Sequence, residues 1–163
     1  MLRRDYETQV CSIARALELV GERWTLLILR NVFLGVRRFD DLQSQLGIAR
    51  NVLATRLERL VDNGVLERHP YGERRVRHEY RLTDKGRALW PVLVELMQWG
   101  DHYSPTPGGP PTVLRHEGCG GFMGPHRTCT RCSALLEFDD VRAEVGPGAS
   151  PEHPLRTREY ARA

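Results

Sequence analysis

No run of apolar residues in this 163-residue chain approaches the roughly 18 that a membrane span needs. The first ten residues, MLRRDYETQV, have neither an apolar core nor a small-residue cleavage site, so a secretory signal is not expected and the reading is cytoplasmic. Cysteine is too scarce for a disulfide framework: there are four, with Cys11 alone and three between positions 119 and 132. In a reducing compartment such residues are better explained by metal binding or thiol reactivity. No phosphate-cradling glycine loop, nucleophile elbow or metalloprotease helix motif occurs, so nothing points to an enzyme. Lysine is nearly absent, with Lys85 standing against 23 arginines, and no functional weight is placed on that choice. A net charge of +3 permits nucleic-acid binding without requiring it, so the placement of charge has to decide.

Apolar residues fall at helical spacing at Ile13, Leu17 and Val20, and again at Leu27, Ile28 and Leu34, with Gly21 between the two sets. A third pattern, Phe39, Leu42 and Leu46, opens on Asp40 and Asp41 and stops at Gly47. A fourth runs from Arg50 to Val61 with Leu53, Leu57 and Leu60 on one face, and Asn63-Gly64 ends it. VLERH and RVRHEYRL alternate apolar and polar residues around the turn-prone YGERR, which predicts a hairpin over 65–82. From Thr83, a good N-cap, one long amphipathic helix is expected to run through Trp99, weakened by Gly86 and by Pro91, whose cost in a helix interior is about 3 kcal/mol. Its stripe Leu89, Leu93, Leu96 and Met97 reads either as intrachain core or as a two-fold interface, and the interface is preferred because few elements follow to cover it. SPTPGGPPT, residues 104–112, has the composition of a linker, and the tail 144–163 has that of disordered chain.

If Leu53, Leu57 and Leu60 are buried, about 100° per residue puts Asn51, Thr55, Glu58 and Arg59 on the opposite face, with Arg50 and Arg56 on its flanks. Such side chains read base edges or hold phosphates. The hairpin concentrates Arg68, Arg74, Arg75 and Arg77 against one acid, Glu73. Helix, glycine, helix and basic hairpin is the order of a winged helix-turn-helix, in which the second helix enters the major groove and the hairpin touches the backbone beside it. Taken singly, each arginine is more simply a solvated surface residue; it is the ordered set that points to DNA. The expected fold is mainly α (α+β), with a two-stranded wing, a long terminal dimerisation helix and a small C-terminal Cys-rich hairpin. The expected divisions are 1–103 for DNA binding and dimerisation, 104–112 for the linker, 113–143 for the hairpin and 144–163 for the tail.

Three ordered motifs resemble the HxlR family of bacterial winged-helix transcriptional regulators: CSIARALELVGERWTLLILR from Cys11, RRFDDLQSQLGIARNVLATRLERLVDNGVLER, and HEYRLTDKGRALWPVLVELMQWGD. The resemblance covers roughly residues 8 to 103. It implies a cytoplasmic homodimer, paired through its first and last helices, that binds an inverted-repeat operator on double-stranded DNA as repressor or activator. It leaves room for a small-molecule effector and needs no membrane. It also implies an oxidant-sensing role for Cys11 at the start of the first helix, against the plainer reading of a small apolar residue packed near the interface. Two departures stand out. Ala49 replaces a Ser or Thr cap, forgoing about 1 kcal/mol at the recognition helix, and the wing carries arginines where prolines are usual.

His116-x2-Cys119 and Cys129-x2-Cys132 form two ligand pairs nine residues apart. Two-residue spacing lets both side chains of a pair converge on one ion, and three thiolates with one imidazole suit tetrahedral zinc. His126 is the alternative fourth ligand, and the metal-free alternative is a cysteine-bearing hairpin docked on the main domain. A segment this short and poor in large apolar residues would draw folding energy from a structural ion. Catalytic zinc is disfavoured because Glu117 directly follows His116 and Thr128 precedes Cys129, unlike a deaminase, and four protein ligands leave no open position. The competing functional reading is a metal-sensing or protein-binding adaptor acting through this hairpin.

Overall fold

The computed structural model describes residues 11–72 and 76–156, which form two compact units, 11–33 with 37–83, and 34–36 with 84–156. The first unit contains α1 (Ser12–Val20), α2 (Thr25–Phe33), α3 (Phe39–Leu46), α4 (Arg50–Asp62) and an antiparallel hairpin, β1 (Leu66–Tyr71) with β2 (Arg77–Leu82). Its core is the set of apolar stripes turned inward: Ile28, Leu29, Leu42, Leu53, Leu57 and Leu60 are all at or below 1% exposure. Gly47 ends α3 in the left-handed conformation, φ 59°, where a side chain would be strained, so the turn into α4 needs glycine. Val65 and Leu66 carry the core into the hairpin, whose register sets Leu66 opposite Leu82 and Tyr71 opposite Arg77. Ala49 caps α4 with no side-chain hydrogen bond, as its methyl group dictates.

The second unit begins with α5 (Asp84–Arg87) and α6 (Trp90–Tyr103). The single helix expected from Thr83 is therefore two. Pro91 explains the break: it has no N–H to give to an interior turn, whereas in the first turn of α6 that N–H would have had no helical acceptor. The Thr83 hydroxyl donates to the Gly64 carbonyl at 2.6 Å, back toward the end of α4. The exposed apolar stripe of α6 also differs from the expected one. Val92, Leu96, Trp99 and Tyr103 face outward, while Leu89, Leu93 and Met97 are half-buried.

β3 (Thr112–His116) and β4 (Val141–Val145) pair antiparallel, and the segment between them carries the cysteines. The tail expected to be disordered from 144 is ordered as far as residue 156. Gly146 and Gly148 donate their N–H groups to the carbonyls of Pro111 and Pro110, at 2.9 and 3.3 Å, and Thr112 bonds His153 at 2.9 Å. These bonds also tie down the Pro/Gly stretch expected to be a free linker. The approach is close enough that a Cβ on Gly146 or Gly148 would collide with the Pro110 or Gly109 carbonyl oxygen. Composition predicted a linker and a tail because their partners lie far apart in the chain.

Candidate nucleic-acid interface and metal centre

The exposed face of α4 consists of Arg50, Asn51, Ala54, Thr55, Glu58 and Asp62. Asn51 is exposed, and the Thr55 hydroxyl donates to the Asn51 carbonyl at 3.0 Å, a bond it can exchange. Arg50 stands at the helix start over the Phe39 ring, 4.7 Å from its centroid, and meets Asp40 at 3.4 Å with both side chains at least 70% exposed. Such a pair is worth at most about 1 kcal/mol in water, so Arg50 is free to trade it for a phosphate.

Arg56 and Arg59 are placed differently. Both turn onto the end of α1: Arg56 bonds the Glu22 carboxylate at 2.8 Å, and Arg59 donates to the Glu18 carbonyl and lies 3.7 Å from the Glu18 carboxylate. Arg59 thus departs from the open face assigned to it, because two acids on α1 and its turn compete for the flank of α4. In the wing, Arg77 is exposed as expected, and Arg74 and Arg75 lie outside the described residues. Arg38, which sequence reasoning passed over, caps α3, is exposed and stacks 4.9 Å over the Tyr71 ring of β1. Its signal was only its position before a helix start.

His116, Cys119, Cys129 and Cys132 converge, each offering one donor atom, all within 4.8 Å of one another. Cys119 Sγ lies 3.4 Å from Cys129 Sγ, 3.6 Å from Cys132 Sγ and 3.2 Å from His116 Nδ1, and Cys132 Sγ lies 3.4 Å from the same nitrogen. A zinc ion with Zn–S of about 2.3 Å sets tetrahedral sulfurs about 3.8 Å apart, so the four donors surround a point at nearly the right radius. The backbone is shaped for it. Gly120 and Ser133, each following a ligand cysteine, take positive φ of 73° and 60°, and the N–H groups of Gly121 and Arg131 point at the sulfurs of Cys119 and Cys129, at 3.5 and 3.4 Å. Gly118 and Gly121 clear the space: a Cβ would stand 2.8 Å from His116 Nε2 and 2.7 Å from Cys129 Sγ, respectively. His126 is exposed and outside this group, so His116 is the convergent imidazole.

Burial works against the Cys129 thiolate, but the N–H groups of Arg131 and Cys132 and hydrogen bonds with Cys119 and His116 outweigh it and draw its pKa down to about 6. The Gly121 N–H favours a Cys119 thiolate, yet burial and the neighbouring sulfurs push that group up. Between Cys119 and Cys129 the thiolate therefore resides on Cys129. Cys11 is exposed at the N-cap of α1, and hydrogen bonds from the N–H groups of Ala14 and Ile13 lower its pKa.

The segment is docked on α6 within its unit. Gln98 donates to the Gly124 carbonyl at 2.8 Å, Phe138 meets Trp90 edge-on at 6.2 Å, and Arg87 pairs with Asp139. No helix among the described residues is long and apolar enough to cross a membrane.

The family described as HxlR-like helix-turn-helix matches residues 19–107. An HTH-type transcriptional regulator of Mycobacterium tuberculosis is 54% identical over 137 residues, spanning 84% of this chain and 87% of that one. Among solved structures, PA1607, described as a candidate transcription factor, superposes with a TM-score of 0.58 at 34% identity and covers 94% of this chain and 96% of its own, so its likeness reaches past α6 into the cysteine-bearing unit. The redox regulator HypR in its reduced form superposes at a TM-score of 0.53 and 25% identity over 56% of this chain and 92% of that one. An exposed polar face on α4, a core that fixes its orientation and a two-stranded wing agree with these likenesses. The chain belongs to the HxlR-like helix-turn-helix family of DNA-binding transcriptional regulators.

Proposed function

We propose that the protein is a cytoplasmic, homodimeric regulator that binds an inverted-repeat operator, with α4 in the major groove and the β1–β2 wing on the adjoining backbone. The observation that carries this reading is the open face of α4, on which Arg50, Asn51 and Thr55 are exposed, Arg50 in a solvent-exposed pair with Asp40. Arg77 supplies a phosphate contact from the wing, and Arg74 and Arg75 are assigned the same role from the sequence alone. The dimer forms through exposed apolar residues of α6, Val92, Leu96, Trp99 and Tyr103, and of α1, Ile13 and Leu17. Two-fold pairing would set the reading helices about 34 Å apart, matching half-sites one turn apart.

His116, Cys119, Cys129 and Cys132 hold a structural zinc ion that supplies charge neutralisation and folding energy to the segment between β3 and β4. Four protein ligands leave no position for substrate, which supports a regulator over an enzyme. Cys11 is the oxidant-sensing thiol: it is exposed, and the helix start favours its thiolate. Affinity for operator duplex as a function of salt tests the reading. Arg50→Ala and Arg77→Ala should each flatten the dependence of log K on log salt by about 0.9. Unchanged slopes for both would remove α4 and the wing from the interface.

A further inference from the structure

α4 has two populations of arginine. Arg50 extends into solvent at 70% side-chain exposure, while Arg56 and Arg59 sit one turn apart on the flank facing α1, at 21% and 39%. Arg59 donates to the carbonyl of Glu18, one of the last four carbonyls of α1, which have no acceptor role left within that helix. A cation at that end also complements the helix dipole. Arg56 is bound to Glu22 at 2.8 Å, and Glu22 lies 4.0 Å from Arg59 as well, so two acids and two arginines form one network. The Arg56 Nε is buried without a hydrogen-bond partner among the described residues, so the guanidinium is held on this flank by its Nη2 bond to Glu22 alone. The group is electrically balanced and offers no net charge to phosphate, in contrast to the face that bears Arg50.

We infer that Arg56 and Arg59 are positioning residues, which clamp the recognition helix to the end of α1 through Glu18 and Glu22 instead of contacting DNA. This rests on the reading of α4 as the recognition helix and of α1 as part of the dimer interface. Its consequence is mechanical. α1 carries Cys11 at its first end, the exposed Ile13 and Leu17 along its length, and the clamp at its last turn. The orientation that α1 takes against a second copy is passed to α4 through four side chains, and with it the spacing of the two reading helices.

A charge exchange tests the clamp. Arg56→Glu and Glu22→Arg should each weaken operator binding at least tenfold in the full-length protein, and the double variant should recover to within about threefold of the parent. Arg56→Met should leave the salt slope of binding at the parent value. A double variant no tighter than Arg56→Glu alone overturns the clamp, as does an Arg56→Met slope reduced by about 0.9, the signature of a lost phosphate contact. Glu22→Gln, at an exposed position, keeps the test open if Arg56→Glu does not fold: a several-fold loss of affinity supports the clamp and an unchanged affinity overturns it. If Asn51→Ala leaves affinity unchanged, the reading of α4 itself has failed; if only the recovery is missing, the clamp alone has.

Discussion

Leu96→Ala should break the dimer by an amount that the structure lets one work out. Leu96 is 49% exposed in the single chain, at the middle of the stripe formed by Val92, Leu96, Trp99 and Tyr103. Fully burying a leucine side chain is worth roughly 1.5 to 3 kcal/mol, so covering the exposed half contributes about 1 kcal/mol, and two-fold symmetry doubles it. A change of about 2 kcal/mol corresponds to about a 30-fold rise in the dimer dissociation constant, since 1.4 kcal/mol is tenfold. The fold of the chain should survive, because the truncated atoms face solvent. Sedimentation velocity across a dilution series reads the dissociation constant directly, and thermal unfolding of the variant at high concentration controls for the fold. A variant that dissociates at the same concentration as the parent would refute the assignment of this face, whatever its effect on DNA.

Three further outcomes follow from the second unit. Purified protein should carry one zinc per chain by elemental analysis, and Cys129→Ser or chelation should raise amide exchange across 112–145 while α2 to α4 stay protected; full occupancy of Cys129→Ser, or unaltered exchange, would contradict the metal assignment. Once metal-free, this segment should be more stable at pH 9 than at pH 6. A thiol drawn from 9.0 to about 6 in the folded chain contributes stability fully above 9.0 and loses it as pH falls through about 6, so amide protection factors, corrected for the intrinsic exchange rate at each pH, that do not rise over that range would oppose the assignment. Gly148→Ala should free the tail from the Pro/Gly stretch and raise exchange of the amides of residues 146 and 148, because the added Cβ would collide with the Gly109 carbonyl oxygen; unchanged protection would show that the approach is looser.

What was legible in the residues divides by the range of the forces that act on them. Leu53, Leu57 and Leu60 announce the buried stripe of α4, and Gly47 announces the stop of α3, because both signals lie within one or two turns of the residues they control. The alternation around YGERR likewise fixes the hairpin. The His116-x2-Cys119 and Cys129-x2-Cys132 pairs point to a metal cluster for the same local reason, and the choice of His116 over His126 follows once the fold places their rings. The placement of Arg56 was not legible. Its partner Glu22 is 34 positions away, and helical periodicity states only which flank a residue occupies, not what competes for it there. The order of residues 146–156 was hidden in the same way, since Pro110 and Pro111 look like linker until the glycines that bind them arrive from the far end of the chain. The split between α5 and α6 sat between the two cases: Pro91 was visible, but an interior kink and a fresh helix start carry the same local sequence.

The most direct test of the central claim, that the open face of α4 reads duplex DNA in a two-fold pair, is a footprint of the full-length protein on DNA upstream of its own coding sequence, run beside the Asn51→Ala and Thr55→Ala variants. The account predicts two protected half-sites centred about 10 base pairs apart, lost or relaxed in sequence preference in both variants. Protection that shows no half-site pair, or that is identical in the parent and in both variants, would contradict it.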